Sequence, residues 1–170
     1  QPIIAGVAND LGDAKITIVG APDKPGTAAA MFQAVADAGV NMDMIVQNVS
    51  AHGKTATDVT FTVPRGDTAK AELALRKVQQ QIGFQDIDTD ENIAKISLVG
   101  AGMRSHPGVS ATFFKAIADA GVNVEMISTS EIRISVVTRA DDAKKAVQAL
   151  HTAFGLDADG EAVVYGGTGR

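Results

Sequence analysis

The residues best placed to do chemistry lie in two loops of similar design, Ala21-Pro-Asp-Lys-Pro-Gly26 and Ala101-Gly-Met-Arg-Ser-His-Pro-Gly108. Each joins the end of a predicted strand to the start of a predicted helix, where free backbone N–H groups and the helix dipole can hold a carboxylate. A plain strand-to-helix turn accounts for either loop taken alone. The same device appearing twice puts ligand binding on an equal footing. Asn41 and Asn123, each followed two residues later by an acid (Asp43, Glu125), sit where the helix returns to the next strand. They read as turn asparagines or as polar contacts to a small ligand beside the first loop. Gln47-Asn48 and Ser128-Thr129-Ser130-Glu131 put polar side chains in or beside strands, where apolar ones are expected. Departures of this kind tend to mark functional sites.

Other chemistries find little support. Gly100-Ala-Gly102 begins like a dinucleotide fingerprint, but Ser105 stands where the third glycine belongs and no parallel βαβ context surrounds it. His52, His106 and His151 lack metal-ligand spacing, and the chain has no cysteine, so thiolate metal sites, disulfides and cysteine nucleophiles are excluded. No phosphate-binding glycine loop or Ser-His-Asp arrangement occurs, and nothing looks catalytic. The net charge of −5, with dispersed Lys and Arg, and an aromatic fraction of 4% speak against nucleic acid. No apolar run reaches the roughly 18 residues of a membrane span, and the N-terminus is no signal peptide. The first residue, Gln1, is not Met, and the chain reads as a fragment of a longer protein.

The elements that must position these loops come in two copies. Lys15-Ile-Thr-Ile-Val-Gly-Ala21 recurs as Lys95-Ile-Ser-Leu-Val-Gly-Ala101, Pro25-Gly26 as Pro107-Gly108, and Ala36-Asp-Ala-Gly-Val-Asn41 unchanged as Ala118-Asp-Ala-Gly-Val-Asn123. Met44-Ile45 recurs as Met126-Ile127. Two copies make a domain duplication, not a solenoid. In the first copy, Ile16 to Val19 predict a strand, then a helix opened by Pro25 and Gly26 and stopped at Gly39. Strands follow at Met42 to Val49 and Val59 to Val63 around the turn His52-Gly53-Lys54. A helix capped by Thr68 ends at Gly83, and Phe84 to Ile87 form a last strand. The second copy repeats the order: a strand at Ile96 to Val99, a helix at Pro107 to Ala120, and strands at Val124 to Ile127 and Ile132 to Val137. Its second helix runs from Asp141 to Phe154, capped by Asp141 or Asp142, and its final strand is Ala162-Val-Val-Tyr165. An extra strand, Ile3 to Ala8, precedes both and is expected at a sheet edge. The order βαββαβ predicts an α+β fold: two ferredoxin-like modules, each an antiparallel sheet with both helices on one face. Phe61 and Val63 are expected to face the helices, with threonines on an open opposite face. Exposed sheet edges suggest oligomerisation.

Several stretches resemble the regulatory region of aspartate kinase: Ile18-Val-Gly-Ala-Pro-Asp-Lys-Pro-Gly26, Asp43-Met-Ile-Val-Gln-Asn-Val-Ser50 and Thr57-Asp-Val-Thr-Phe-Thr62 in the first copy. In the second they are Ser97-Leu-Val-Gly-Ala-Gly-Met-Arg-Ser-His-Pro-Gly-Val109, Ile127-Ser-Thr-Ser-Glu-Ile-Arg-Ile-Ser135 and Glu161-Ala-Val-Val-Tyr-Gly-Gly-Thr-Gly-Arg170. The resemblance spans nearly the whole chain. It implies tandem ACT domains: a first one, residues 15–92, inserted into a second made of 1–14 and 93–170. The Ile3 to Ala8 strand would then join the second sheet. It further implies a cytoplasmic regulatory β subunit or region with no catalytic activity of its own. ATP and Mg would belong to a kinase domain absent here, and this chain would hold no cofactor and no metal.

The implied effector is L-threonine, possibly with L-lysine, acting by feedback on the first step from aspartate towards lysine, threonine and methionine. Carried over by motif, the effector contacts are Asp23, Lys24, Pro25, Gly26, Thr27, Ala28, Asn41, Met42, Asp43 and Gln47 in the first domain. In the second they are Ser110, Asn123, Val124, Glu125, Ser130 and Glu131; Ser110 replaces a common threonine and keeps its hydroxyl. Implied partners are the α subunit and a second copy of the chain, with no nucleic acid and no membrane. The two copies differ at these loops, so a composite site is expected rather than two equal ones. Two alternatives stand beside this: a tandem ACT region of another amino-acid enzyme, or an acylphosphatase-like enzyme using Arg104.

Overall fold

The structure is a computed structural model that describes residues 3–49, 56–156 and 163–165. The expected turn His52-Gly53-Lys54, and the terminal motif apart from residues 163–165, lie outside the described residues. The chain divides into two compact units. Asp13–Glu91 form an inserted unit, and the described residues of Gln1–Gly12 and Asn92–Arg170 form a flanking unit.

The inserted unit runs β2 (Asp13–Pro22), α1 (Thr27–Asp37), β3 (Asp43–Val49), β4 (Ala56–Pro64), α2 (Thr68–Ile82) and β5 (Asp86–Asp90), after β1 (Ile3–Asp10) of the other unit. Its antiparallel sheet has the order β3-β4-β2-β5. Alternate residues Ile16 and Ile18 on β2 and Val59, Phe61 and Val63 on β4 are buried in one core with Met31 and Val35 of α1 and Leu75 of α2. Phe32 of α1 meets Phe61 edge-on, with ring centroids 6.1 Å apart. Phe61 and Val63 thus lie in the helix-packed core, as the alternation predicts.

The opposite face is buried at its centre and exposed toward its edges, at Asn48 and Asp88. Thr60 and Thr62 are buried there, as are Ser97 and Ser135 in the flanking unit. Their hydroxyls bond within the sheet: Thr17 with Thr60 at 3.1 Å, Thr62 to the Asp43 carbonyl at 3.1 Å, and Ser97 with Ser135 at 2.6 Å. Buried hydroxyls need such partners, and the neighbouring strands supply them.

The flanking unit contains β6 (Ile93–Ala101), α3 (Pro107–Asp119), β7 (Met126–Thr129), β8 (Arg133–Arg139), α4 (Ala143–Ala153) and β9 (Val163–Tyr165). Its sheet has the order β7-β8-β6-β1-β9. The sequence places β1 at an edge and β9 as the last element of the repeat; the structure reverses this. β1 lies antiparallel beside β6, where β5 lies beside β2, and β9 runs parallel to β1 on its far side. Seven residue pairs join β1 to β6, against three between β1 and β9, and Val7 and Ala8 are fully buried. The longer, buried strand takes the place that needs both its edges paired.

Helix ends show where local rules hold and where they do not. The repeated Ala-Gly-Val ends α1 and α3 alike. Gly39 N–H bonds the Ala36 carbonyl and Val40 N–H the Val35 carbonyl, matched by Gly121 to Ala118 and Val122 to Ile117. This double bond needs a left-handed residue, and Gly39 (φ 78) and Gly121 (φ 76) provide it. At the other end Pro107 opens α3 as expected, but α1 begins only at Thr27. Its N-cap Gly26 is left-handed at φ 89, which leaves Pro25 in the preceding turn. Thr68 does not cap α2. It is the first helical residue, and its hydroxyl donates to the Arg65 carbonyl at 3.2 Å and the Glu91 carboxylate at 3.3 Å. Asp142 holds the N-cap position of α4 without a side-chain cap bond, and its carboxylate pairs with Lys145 at 3.4 Å.

A Cβ added at Gly39 or Gly121 meets no atom within 4 Å, so an alanine there is disfavoured by backbone conformation alone. Gly39→Ala and Gly121→Ala are each expected to lower stability by about 1–2 kcal/mol, read as a lower urea midpoint with an unchanged slope.

Candidate functional site

In the inserted unit, β2 ends at Pro22, residues 23–26 turn, and α1 starts at Thr27. The turn and the first helical turn border a cavity of about 380 Å³, within the range of small-molecule sites. Its floor is Met31, Thr57 and Val59, all buried, and Gln47 of β3 faces it from one side. Asp23, Lys24 and Pro25 stand exposed at the rim.

The helix end is chemically open. Thr27 N–H bonds the Lys24 carbonyl at 3.3 Å, and the first helical bond runs from Ala30 N–H to the Gly26 carbonyl at 3.0 Å. No side chain caps α1, so the N–H groups of Ala28 and Ala29 have no helical acceptor. An anion placed there would meet aligned N–H donors and the positive end of the helix dipole. Asp23 and Lys24 add one charge of each sign, suited to a zwitterion.

The expected contacts separate. Asp23, Lys24, Pro25, Gly26, Thr27, Ala28 and Gln47 line the cavity, whereas Asn41, Met42 and Asp43 are not among its lining residues. Asn41 is exposed beyond α1, and Met42 packs against the core. Asp43 pairs with Thr62 on the hydroxyl face of the sheet, and its carboxylate accepts the Met44 N–H at 2.9 Å. The cause is a β-bulge. Asp43 opposes Thr62 and Val46 opposes Thr60, so Met44 and Ile45 together face the single residue Phe61. Residues four apart on a regular strand share a face. The extra residue puts Asp43 on one face and Gln47, paired with Val59, on the other.

In the flanking unit the expected residues do structural work. Glu125 pairs with Arg139 at 3.3 Å, and its N–H bonds the Val137 carbonyl at 2.8 Å. Ser130 N–H bonds the Arg133 carbonyl at 2.8 Å while its hydroxyl accepts the Ile132 N–H at 3.3 Å, building the β7–β8 turn. The Glu131 carbonyl accepts Met103 N–H at 2.9 Å, which ties this turn to the loop before α3. Arg104 donates to the Thr129 carbonyl at 3.2 Å, across the same junction, instead of standing free to cradle a phosphate. Val124 packs on the core, Asn123 is exposed, and Ser110 lies half-buried in the first turn of α3. A cavity of about 650 Å³ at the start of α3, bordered by His106, Thr112 and Phe154, takes none of these six residues. Sequence reasoning missed Thr57, Val59 and Met31 as floor residues. Their apolar or hydroxyl types signal only a strand or a core, and strand pairing is needed to place them.

A third cavity, of about 540 Å³, lies by Arg76, Gln79 and Phe84. Its cation is already engaged: Arg76 bonds Asp86 at 2.9 Å and Gln79 at 3.0 Å. The Arg76 hydrogen bond, with help from the Ile87 N–H, holds the Asp86 carboxyl below its usual range. A depressed carboxyl favours the folded state above its unfolded pKa, and that contribution fades as pH falls through the lowered value. Arg76→Gln is therefore expected to shift the Asp86 titration upward in carboxyl-detected NMR, with little effect on stability at neutral pH because the pair is exposed.

Among the described residues, no helix is long and apolar enough to cross a membrane, and no three His, Asp or Glu side chains gather as a metal site. Fold and connectivity define a pair of ferredoxin-like α+β modules, one inserted in the chain of the other. A family model described as ACT domain matches residues 16–79 and 96–154. The aspartokinase of Mycobacterium tuberculosis is 57% identical over 170 residues, all of this chain and 40% of that protein. The solved regulatory subunit of aspartate kinase from Thermus thermophilus, in its ligand-free form, is 44% identical with a TM-score of 0.84, covering 89% of this chain and 99% of that one. A solved structure of aspartokinase alpha and beta subunits matches at 45% identity and a TM-score of 0.82, again covering 89% of this chain and 99% of that one. The chain thus belongs to the ACT-domain family, and within it to the regulatory region of the aspartokinases. It spans about 40% of the length of the curated relatives it matches.

Proposed function

We propose that this chain senses L-threonine, with L-lysine acting beside it in the full enzyme, and restrains an aspartate kinase by feedback. The observation that carries the reading is the convergence of Asp23 to Ala28 and Gln47 on one cavity at an uncapped helix start. The effector's α-carboxylate lies against the N–H groups of Ala28 and Ala29. Its ammonium meets Asp23, since Asp43 belongs to the other face of the sheet. The threonine hydroxyl reaches Gln47 or Thr57, and its methyl group rests on Met31 and Val59. Aspartate phosphorylation, with its ATP and Mg, belongs to a kinase domain, and this chain uses no cofactor of its own.

The partners in this reading are that kinase domain or α subunit and a second copy of the chain, paired through ACT domains in the cytoplasm. Feedback requires the effector to bind the inhibited arrangement better than the active one. A difference of about 1–3 kcal/mol, typical of allosteric coupling, is enough.

Calorimetry of the chain with threonine and with lysine is the direct test. Threonine is expected to give saturable heat and a raised melting temperature. Gln47→Ala should weaken it by about three- to tenfold, the loss of one hydrogen bond. Absence of both heat and thermal shift with either amino acid overturns the assignment.

A further inference from the structure

Met44 is the only residue other than glycine with a positive φ among the described residues, at φ 46. Side chains disfavour this left-handed region, and glycine is usual at the first position of a bulge of this type. Between β3 and β4 and their counterparts β7 and β8, the register shift lies inside the ladder only in the first copy. In the second, Glu125 N–H bonds the carbonyl of Val137, the partner of Met126, at the very start of the strand. In the flanking unit β7 pairs with β8 without interruption, Met126 with Val137 through Thr129 with Ile134. Ile134 is the counterpart of Val59, since Leu98 pairs with Ile134 as Ile18 pairs with Val59. Thr129 therefore stands where Gln47 stands. Both copies reach that position six residues after the repeated asparagine, Asn41 or Asn123. In the first copy Asp43 opposite Thr62 starts the ladder and four steps lead to Gln47, whereas in the second Met126 opposite Val137 starts it and three lead to Thr129.

The chain leading into the bulge is anchored. Val40, just before it, is buried and bonded to the end of α1. Asp43 is held by the Thr62 hydroxyl at its carbonyl and by the Met44 N–H at its carboxylate. Were Met44 to adopt ordinary strand geometry, the ladder would run on from Asp43 without the extra residue. Val46 would then face Val59, and Gln47 would turn to Asp58 on the opposite face.

We propose that Met44 is the positioning residue of the amino-acid site: its left-handed backbone keeps the bulge that presents Gln47, rather than Val46, to the cavity. This rests on the amino-acid reading given above. Without the bulge the cavity wall opposite the helix start is apolar and lacks the amide that pairs with a polar effector side chain. The same sequence would then favour a different, more apolar ligand.

The test uses three variants of the chain, with register read by cross-strand NOEs and affinity by threonine calorimetry. Met44→Gly accepts the left-handed geometry and is expected to keep Gln47 opposite Val59 and keep affinity within about twofold. Met44→Val resists that geometry and is expected to move Gln47 opposite Asp58 and weaken threonine by at least about tenfold. Met44→Val with Ile45 deleted removes the extra residue itself, so Gln47 should return to Val59 and affinity should recover. A side chain important only for packing would not be rescued by that deletion. Unchanged register in Met44→Val, or no recovery in the deletion variant, overturns the proposal. Should Met44→Val fail to fold, the deletion variant decides: it must fold with Gln47 opposite Val59. Correct registers throughout with no threonine heat in the parent chain refute the amino-acid reading and leave the positioning of Gln47 intact.

Discussion

Each unit is held together by one sheet face buried against two helices, and along a strand that face recurs at every second residue. Ile16, Ile18, Val59, Phe61 and Val63 meet this condition in the inserted unit, and Ile96, Leu98, Ile134 and Val136 meet it in the flanking unit. Burying such a side chain fully is worth roughly 1.5–3 kcal/mol, so a strand cannot slip by one residue without forfeiting several of these contributions at once. The period of two therefore governs everything attached to the sheets. It decides which polar residues reach a cavity and which are tied into the hydroxyl ladder.

Duplication gave both units the same frame but did not bind them to the same details. The Ala-Gly-Val helix stops are bonded identically, because a short sequence fully specifies a local hydrogen-bonding pattern. The strand beside the central one differs. It is β5 in the inserted unit and β1, drawn from the start of the chain, in the flanking unit. The helix entries differ too. Left-handed Gly26 precedes α1 and leaves Pro25 in the turn, whereas Pro107 opens α3 directly; neither helix has a side-chain cap bond. In the flanking unit the loop before α3 is laced to the β7–β8 turn through Met103, Arg104 and Glu131. The loop that borders a cavity in the inserted unit is thus tied into turn structure in the flanking one.

Much was legible in the residues themselves. Repetition exposed the two modules, apolar periodicity exposed the helices and strands, and Asp23 to Ala28 with Gln47 were recognisable by motif as a group. These features depend on neighbours near in sequence, or on burial patterns that repeat along it. Phe61 and Val63 in the helix-packed core, and glycine at the ends of α1 and α3, follow from such local rules.

What sequence alone could not decide depended on pairing between distant segments. The exchange of places between β1 and β9 turns on which strand makes the longer ladder with β6 and buries more of itself. Glu125 looked like a counterpart of Asp43, but only the fold brings Arg139 to it. Asn41 to Asp43 and Gln47 looked like one set of contacts, and a regular strand would keep Asp43 and Gln47 together. The left-handed Met44 divides them, because one extra residue reverses the face of all that follow it. The sequence determined the modules and the residues available to a site. The tertiary structure chose among those residues, since which face a side chain takes is fixed by the partner strand across from it.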